Sequence, residues 1–198
     1  MLRQPHSIQL DTKGHLYICD IGNHRIRVVD LQSGIISTFA GTGEKKSPKD
    51  EGRFAQEPLL GPRAIDFDPD GNMWLALREG NAIYKLDLRA STIHLVAGTG
   101  ATGFRDGPAR EALLSGPKGL SVGPNGTVYF ADTESHTIRR INPQTGRVET
   151  VVGTGQRGDT LSIDPLQCKL ARPHGVFVAP DGGIYIGDSE NHRVRVLR

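Results

Sequence analysis

Short apolar runs alternate with polar turns along the whole chain, and their lengths are typical of β-strands rather than helices. The runs GLSV, VYFAD, TIRRI and VETVVG are rich in β-branched and aromatic residues, and turns such as PNG, PQTG and GTG separate them. The nearly continuous apolar character of LYIC and IYIG predicts strands covered on both faces, whereas RIRVV and RVRVL alternate and are expected nearer the outside. The pattern therefore predicts an all-β protein.

These strands and turns recur with a period of 55 to 57 residues, and this period indicates the architecture. A proline opens each copy and a glycine follows it nine residues later, at Pro5 and Gly14, Pro62 and Gly71, Pro117 and Gly126, and Pro173 and Gly182. A complete copy contains four predicted strands, a to d, and then a long irregular loop. The copies span residues 1–61, 62–116, 117–172 and 173–198, and the fourth ends after strand c.

Four-stranded antiparallel units repeated around an axis make a β-propeller, in which each blade packs on its neighbours. The sequence thus predicts a single propeller segment with three complete blades and a fourth blade that lacks its outer strand. We expect the chain to be part of a six-bladed ring whose N-terminal part, with two blades and the closing strand, is missing. A strained four-bladed ring with an incomplete last blade is the alternative.

Three stretches in phase with this period, DIGNHRIRVVD, DTESHTIRRIN and DSENHRVRVLR, resemble the NHL repeat of bacterial-type NHL proteins. PKG and PHG open the third and fourth copies, and AGTG or VGTG closes strand d of the first three copies in the same register. The resemblance covers the whole chain and implies a β-propeller. The family includes modules that bind proteins or RNA, bacterial surface or exported proteins, and more distant enzyme relatives. The second copy departs from the pattern, because LREGN stands at 77–81 in place of the Asp-to-His turn.

Composition and charge limit the partners that the protein can have. The net charge is only +2 and aromatic residues make up 6% of the chain, so neither nucleic acid nor an acidic membrane surface is favoured. No apolar stretch is long enough for a membrane span, and MLRQPHSIQL lacks the apolar core of a signal peptide. Because we expect the N-terminal part to be missing, the sequence does not distinguish an exported from a cytoplasmic protein.

The turns between strands b and c repeat the same polar residues, which predicts a structural role in each blade. Equivalent positions in a ring lie a blade width apart, so these side chains are not expected to converge on one metal ion. We expect Asp to accept hydrogen bonds from turn N–H groups or from an arginine of strand c, and Asn to tolerate an unusual backbone angle. The residues are Asp20, Asn23, His24, Asp132, His136, Asp188, Asn191 and His192.

A second set of equivalent positions, directly after the four prolines, carries basic or potentially basic side chains. Strand a is the innermost strand of a blade, so these residues are expected to converge at the mouth of the central channel. Arg78, in the irregular LREGN turn, is expected on the same side of the ring. The predicted ligand-binding residues are His6, Arg63, Arg78, Lys118 and His174.

An anionic or carboxylate-bearing ligand fits these residues better than a metal ion does. The distant enzyme relatives hold a divalent metal with His or carboxylate groups at about this level, and His6 and His174 could act in this way. Arg63 and Lys118 would repel a cation, however, so no cofactor is predicted. A purely structural role of these side chains stays open as well.

Two function hypotheses remain, since the chain has no GxSxG, HExxH, GxxxxGK or spaced CxxC motif. The first is a non-enzymatic binding platform that holds a protein, peptide or glycan on the loop-bearing face and at the channel mouth. The second is a hydrolase or lyase that acts on a small anionic or lactone-like substrate in the channel. An unclosed propeller also exposes two blade faces, which predicts self-association.

Overall fold

The computed structural model describes residues 1–198 and places them in four antiparallel sheets that are arranged as the blades of a β-propeller. The predicted all-β fold is confirmed, since the only helical segments are five 3₁₀ turns of three residues each. The blades follow one another in chain order, and the innermost strand, strand a, of each blade packs against strand a of the next.

The strand boundaries follow the sequence repeat. The first blade contains β1 (Pro5–Leu10), β2 (His15–Asp20), β3 (Arg25–Asp30) and β4 (Ile36–Ala40). The second contains β5 (Gly52–Arg53), β6 (Pro62–Phe67), β7 (Met73–Leu77), β8 (Ala82–Asp87) and β9 (Thr92–Ala97). The third contains β10 (Gly107–Pro108), β11 (Pro117–Val122), β12 (Val128–Asp132), β13 (Thr137–Asn142) and β14 (Arg147–Val152). The fourth contains only β15 (Gly175–Val178), β16 (Ile184–Asp188) and β17 (Arg193–Leu197), so the predicted absence of its outer strand is confirmed.

The second and third blades have five strands rather than the predicted four, because the preceding loop adds a short edge strand to each. β5 pairs with β9, and β10 pairs with β14. Next to β5, the N–H of Glu51 donates to the carbonyl of Ile93 at 2.8 Å. A two-residue strand held by backbone bonds has no side-chain period, so the sequence pattern could not reveal it. Each of these loops therefore connects one blade to the outer strand of the next.

Three apolar clusters fill the spaces between consecutive blades. Between the first two blades, Ile65 and Leu75 of the second blade are buried in one cluster with Tyr17 and Ile26 of the first. Equivalent positions, 55 to 57 residues further along the chain, build the next two clusters. The alternating apolar positions of the strands thus become the faces on which blades stack.

The first glycine of each GTG segment is required by a close backbone contact. Gly41, Gly98 and Gly153 have φ values of 95°, 95° and 108°. A Cβ atom at these positions would lie 2.4 to 2.7 Å from a backbone carbonyl oxygen of the b–c turn in the same blade. Only glycine combines this backbone angle with such a close approach, so the motif closes strand d against the turn.

The outer faces of the first and fourth blades are uncovered. Ile8 and Leu10 of β1 are 63% and 53% exposed, whereas Ile65, at the position equivalent to Ile8 in the second blade, is 3% exposed. On the far side of the fourth blade, Phe177 and Val194 are also exposed. No packing comparable to that between neighbouring blades joins β15 to β1. The four blades therefore form an arc with two apolar ends.

Candidate functional site: the channel mouth and its turns

The aspartates of the b–c turns are buried and hydrogen bonded from several sides. In the third blade, Asp132 accepts hydrogen bonds from the N–H of Ser115 at 2.7 Å and from Nη1 of Arg139 at 2.8 Å. Similar contacts are present in the first and fourth blades. Asp20 accepts hydrogen bonds from the N–H of Arg3 and from Nδ2 of Asn23. Asp188 accepts hydrogen bonds from the N–H of Ala171, from Nδ2 of Asn191 and from Nε of Arg195. These carboxylates are occupied by the fold and point away from solvent.

The unusual backbone angle of these turns lies on the histidine and not on the asparagine. His24, His136 and His192 have φ values of 52°, 55° and 53°, in the left-handed region. Asn23 and Asn191 lie inside the preceding 3₁₀ turns instead, so the expectation that Asn adopts this angle is wrong for them. Their side-chain amides bind the aspartate, which explains why Asn stands there.

The side chain of this left-handed residue joins its blade to the next one. It accepts a hydrogen bond from the backbone N–H that precedes the next opening proline. The pairs are His24 Nδ1 with Gly61 at 3.3 Å, Asn81 Oδ1 with Gly116 at 2.9 Å, and His136 Nδ1 with Arg172 at 3.1 Å. The side chain of His192 is exposed and accepts no such hydrogen bond in the structure. The sequence did not predict this contact, although the second blade has Asn81, another side chain that can accept the hydrogen bond, where the other blades have histidine.

Lys118 and His174, two of the predicted channel residues, are in direct contact. The ammonium group of Lys118 donates to Nε2 of His174 at 2.8 Å, and it lies 3.8 Å from a carboxylate oxygen of Glu134. Lys118 is buried, and burial together with the nearby Arg172 lowers its pKa to about 8. Burial and the charge of Lys118 also lower the pKa of His174, so this imidazole is neutral at pH 7.

Arg63 and Arg78 lie close to the same group and have no partner of their own. Neither guanidinium forms an ion pair or donates a side-chain hydrogen bond. Burial and the charge of Arg78 lower the pKa of Arg63. Burial and then the charges of Arg63, Arg78 and Lys118 lower the pKa of His6. The structure thus brings all five predicted residues into one electropositive region.

A cavity of about 280 Å³ opens at this region between the b–c turns of the first and second blades. Its lining is mostly polar and includes Arg3, Gln4, His6, His24, Arg78 and Glu79. A larger cavity of about 420 Å³ between the second and third blades is lined by Trp74, Val96, Ile141 and other residues. Its one charged side chain, Arg110, is already paired with Asp50 at 2.8 Å. Only the smaller cavity therefore combines open space with unpaired positive charge.

Arg172 is a channel-mouth residue that sequence reasoning missed. It precedes Pro173 with a φ of 45°, a position that glycine occupies at Gly61 and Gly116. Its guanidinium binds Glu134 at 2.6 Å and Glu190 at 3.0 Å, and these bonds raise its pKa. Arg172 is therefore neutralised by two carboxylates, in contrast to Arg63 and Arg78.

In the structure, no group of three or more His, Cys, Asp or Glu side chains is arranged to hold a metal ion. No helical segment has the length and apolar character that a membrane crossing needs. Both cysteines, Cys19 and Cys168, are free and buried.

The fold and the repeated turns define a β-propeller built from NHL-type units, and comparisons with known proteins agree. The family model of the NHL repeat matches residues 2–29 and 170–197. The chain therefore carries NHL repeats at two places in a β-propeller fold. It is similar to Protein SUPPRESSOR OF QUENCHING 1, chloroplastic, of Arabidopsis thaliana, with 32% identity over 197 residues, which cover 93% of this chain and 19% of the relative.

A second relative and a solved structure extend this comparison. NHL repeat-containing protein 2 of Homo sapiens is 28% identical over 214 residues, covering 92% of this chain and 29% of the relative. The chain thus spans 19% and 29% of the length of these two curated relatives. A structural genomics protein of unknown function from Bacteroides thetaiotaomicron superposes with a TM-score of 0.78 and 20% identity, covering 98% of this chain and 47% of that one. This likeness shows the fold alone.

Proposed function

We propose that the protein is a non-enzymatic binding platform that holds a protein, peptide or glycan ligand by an anionic group at the channel mouth. The observation that carries the proposal is the unpartnered guanidinium group of Arg78, which lines a polar cavity, together with the unpartnered Arg63, whose pKa is lowered by burial and by the charge of Arg78. An arginine fork is suited to bidentate binding of a carboxylate or phosphate. The long loops and the b–c turns on the same side of the ring would contact the rest of the ligand.

Repulsion among the basic side chains supports this proposal. Burial and the charge of Arg78 lower the pKa of Arg63, and burial and the charges of Arg63 and Arg78 lower the pKa of His6, as expected where positive charges disfavour one another. An anion between them would replace that repulsion by attraction in a partly desolvated setting. The nearby carboxylates are already paired, since Glu134 and Glu190 are bound to Arg172, and Glu79 is bound to Lys45 at 3.0 Å.

The test is a thermal shift titration with citrate, glucuronate and inorganic phosphate. A ligand that binds only the native state at a hundred times its Kd stabilises it by about 2.7 kcal/mol, and each kcal/mol raises Tm by about 2–4 °C in a chain of this size. We expect the double variant Arg63→Ala, Arg78→Ala to lose this shift. The control Arg89→Ala removes an exposed arginine elsewhere and should keep it. Equal shifts in both variants, or none in the parent protein, would contradict the proposal.

The increase in Tm caused by an anion should also depend on pH, because Lys118 titrates near the site. Its pKa of about 8 means that the ammonium is charged at pH 7 and is lost as the pH rises through 8, so anion binding should weaken there. The stability of the ligand-free protein should instead rise with pH over this range. The unfolded state keeps the lysine proton up to about pH 10.5, so the contribution of Lys118 to stability rises between pH 8 and 10.5.

A second candidate function, catalysis on a small anionic or lactone-like substrate, is favoured by the Lys118 and His174 contact. An amine with a pKa of about 8 next to a neutral imidazole is suited to general acid–base chemistry. Turnover that Lys118→Ala abolishes, with anion binding retained, would establish this alternative over the binding platform.

Self-association through the uncovered blade faces is a separate proposal, supported by the exposure of Ile8 and Phe177, and light scattering measures it.

A further inference from the structure

The interface between the first and second blades is filled by aromatic rings. The rings of Phe39 and Phe54 are stacked with their centroids 5.0 Å apart, and Tyr17 meets Phe39 edge-on at 4.9 Å. Phe67 packs against Tyr17 on the side of the second blade, at 5.4 Å. Four aromatic side chains thus form one cluster between these two blades.

The equivalent places in the interface between the second and third blades carry smaller side chains. The N–H of Gly41 donates to the carbonyl of Phe54 at 3.1 Å, and the N–H of Gly98 donates to that of Ala109 at 2.9 Å. This repeated hydrogen bond puts Ala109 in the place of Phe54, and the sequence repeat aligns the other three positions. The residues of the second interface are Trp74, Val96, Ala109 and Val122.

Two stacked phenyl rings of the first interface therefore have no counterpart in the second. Ala109 stands in place of Phe54, and Val96 stands in place of Phe39. The cavity of about 420 Å³ between these blades is lined by both of these small residues. Trp74, although larger than its equivalent tyrosine, lines the same cavity and does not close it. The space is thus a vacancy at the position of two aromatic rings.

Trp74 is an aromatic wall of this cavity, and contacts within its own blade hold it in place. Its indole N–H donates to a carboxylate oxygen of Asp68 at 3.2 Å, and the ammonium group of Lys85 lies 5.5 Å from the ring centroid. The indole therefore needs no polar partner from a ligand and offers ring surface, on which another aromatic group packs favourably.

Asn142, another residue of the lining, has a free hydrogen-bond donor. Its Oδ1 accepts the N–H groups of Gln144 and Thr145 at 3.0 and 3.4 Å, whereas its Nδ2 donates to no group of the protein. The first two blades have Asp30 and Asp87 at this position, and their Oδ1 atoms accept the same turn N–H groups. The turn needs only the acceptor, so the donor of Asn142 is free to bind a ligand.

We propose that this cavity binds a small, uncharged aromatic molecule of two fused rings that carries a hydrogen-bond acceptor at its edge. The fused rings would replace the two missing phenyl groups, and the acceptor would meet Nδ2 of Asn142. The volume of about 420 Å³ lies in the usual range of small-molecule sites. The ligand needs no charge, because Arg110, the one charged side chain of the lining, is paired with Asp50. The site is independent of the anion site at the channel mouth.

The probe is quinoline, a neutral two-ring compound with one acceptor nitrogen, added to the intact chain at neutral pH. Trp74 is the only tryptophan of the chain, so its fluorescence reports binding in this cavity. We expect saturable quenching of that fluorescence and the same Kd by calorimetry. No saturable binding would overturn the proposal, whatever the result of the anion titration.

Asn142→Asp tests the hydrogen bond without disturbing the turn. The aspartate keeps the Oδ1 acceptor, as in the first two blades, and removes the donor. We expect quinoline to bind about two- to tenfold more weakly, the usual worth of one hydrogen bond. Naphthalene has the same ring size but no acceptor, so its affinity should be the same for the variant and the parent protein. Unchanged quinoline binding, or an equal loss for both compounds, would overturn the assigned role of Asn142 and with it the proposal.

Filling the cavity tests its location. The double variant Val96→Phe, Ala109→Phe gives the second interface the rings of the first, so we expect it to abolish quinoline binding and to keep a cooperative thermal transition. The control Val151→Phe adds one ring at the position equivalent to Val96 in the third blade and should bind quinoline as the parent protein does. Binding that persists in the double variant would overturn the proposal.

N-acetyltyrosinamide represents the other source of an aromatic ring, a side chain of a partner protein. Calorimetry compares it with quinoline under the same conditions. Weaker binding of N-acetyltyrosinamide supports a free small molecule as the ligand. Tighter binding would assign the cavity to a partner protein and overturn the proposal.

Discussion

The second and third blades have the same strand order and cover each other, yet they fill the same buried position in opposite ways. In the third blade, Asp132 at the end of strand b binds Arg139 of strand c, and neither side chain is exposed to solvent. In the second blade, the equivalent residues are Leu77 and Tyr84, which are also buried. One blade has an ion pair where its neighbour has an apolar pair.

This difference shows that the blade itself does not require the ion pair. A buried ion pair is often no more stabilising than an apolar pair of similar volume, because both charges lose their hydration. What the third blade gains is a fixed loop. Arg139 donates to the carbonyl groups of Leu113 and Arg105 as well as to Asp106, all in the loop that precedes its blade. The arginine thus ties the loop to the sheet.

Removal of one partner of the ion pair should have the largest effect on stability. Asp132→Ala leaves the guanidinium of Arg139 buried without one of its two carboxylates, and we expect the free energy of unfolding to fall by about 3–5 kcal/mol. Urea denaturation measures the change. Glu149→Ala is the matched control, since it breaks a partly exposed ion pair with Arg140 in the same blade and should cost at most about 1 kcal/mol. Similar losses in the two variants would show that the Asp132 site is accessible to water.

Transplanting the apolar pair should recover most of that loss. The double variant Asp132→Leu, Arg139→Tyr reproduces the second blade and leaves no buried charge. The N–H of Ser115 loses its acceptor, so a residual cost of about 1–3 kcal/mol is expected relative to the parent protein. A double-mutant cycle with the single variants checks this. If the double variant is as unstable as the less stable single variant, the loop contacts of Arg139 outweigh the cost of burying its charge.

The sequence predicted the propeller because proline, glycine and strand positions recur in phase, and the phase does not depend on any one residue. It also located the departure of the second blade at 77–81. The channel residues His6, Arg63, Arg78, Lys118 and His174 could be grouped because strand a is innermost in every blade. The absence of ion-pair partners for Arg63 and Arg78 could not be predicted, since it depends on where the glutamates of the same face point.

Two features of the fold have no local sequence pattern. The edge strands β5 and β10 are two residues long and held by backbone bonds, so no alternation of side chains indicates them. The bond from His136 to Arg172 joins residues 36 positions apart in different blades. Arg172 itself takes a left-handed backbone angle that glycine has at Gly61 and Gly116, and only its binding by Glu134 and Glu190 explains why it stands there.

The smallest effect is expected at the left-handed position, where the second blade has Asn81 and the third has His136. His136→Asn should change the free energy of unfolding by less than about 0.5 kcal/mol, since Asn tolerates this backbone angle and its Oδ1 can accept the same N–H. His136→Ala loses both advantages and should cost about 1–3 kcal/mol.

His192→Ala separates the two contributions. His192 has the same backbone angle but accepts no interblade hydrogen bond, so its substitution reports the backbone cost alone. We expect His136→Ala to be more destabilising than His192→Ala by about 0.5–1.5 kcal/mol, the usual worth of one hydrogen bond. Thermal unfolding of the three variants under one set of conditions measures the differences. Equal losses in the two alanine variants would mean that the interblade bond adds nothing to stability, and that His and Asn stand at this position for their backbone preference only.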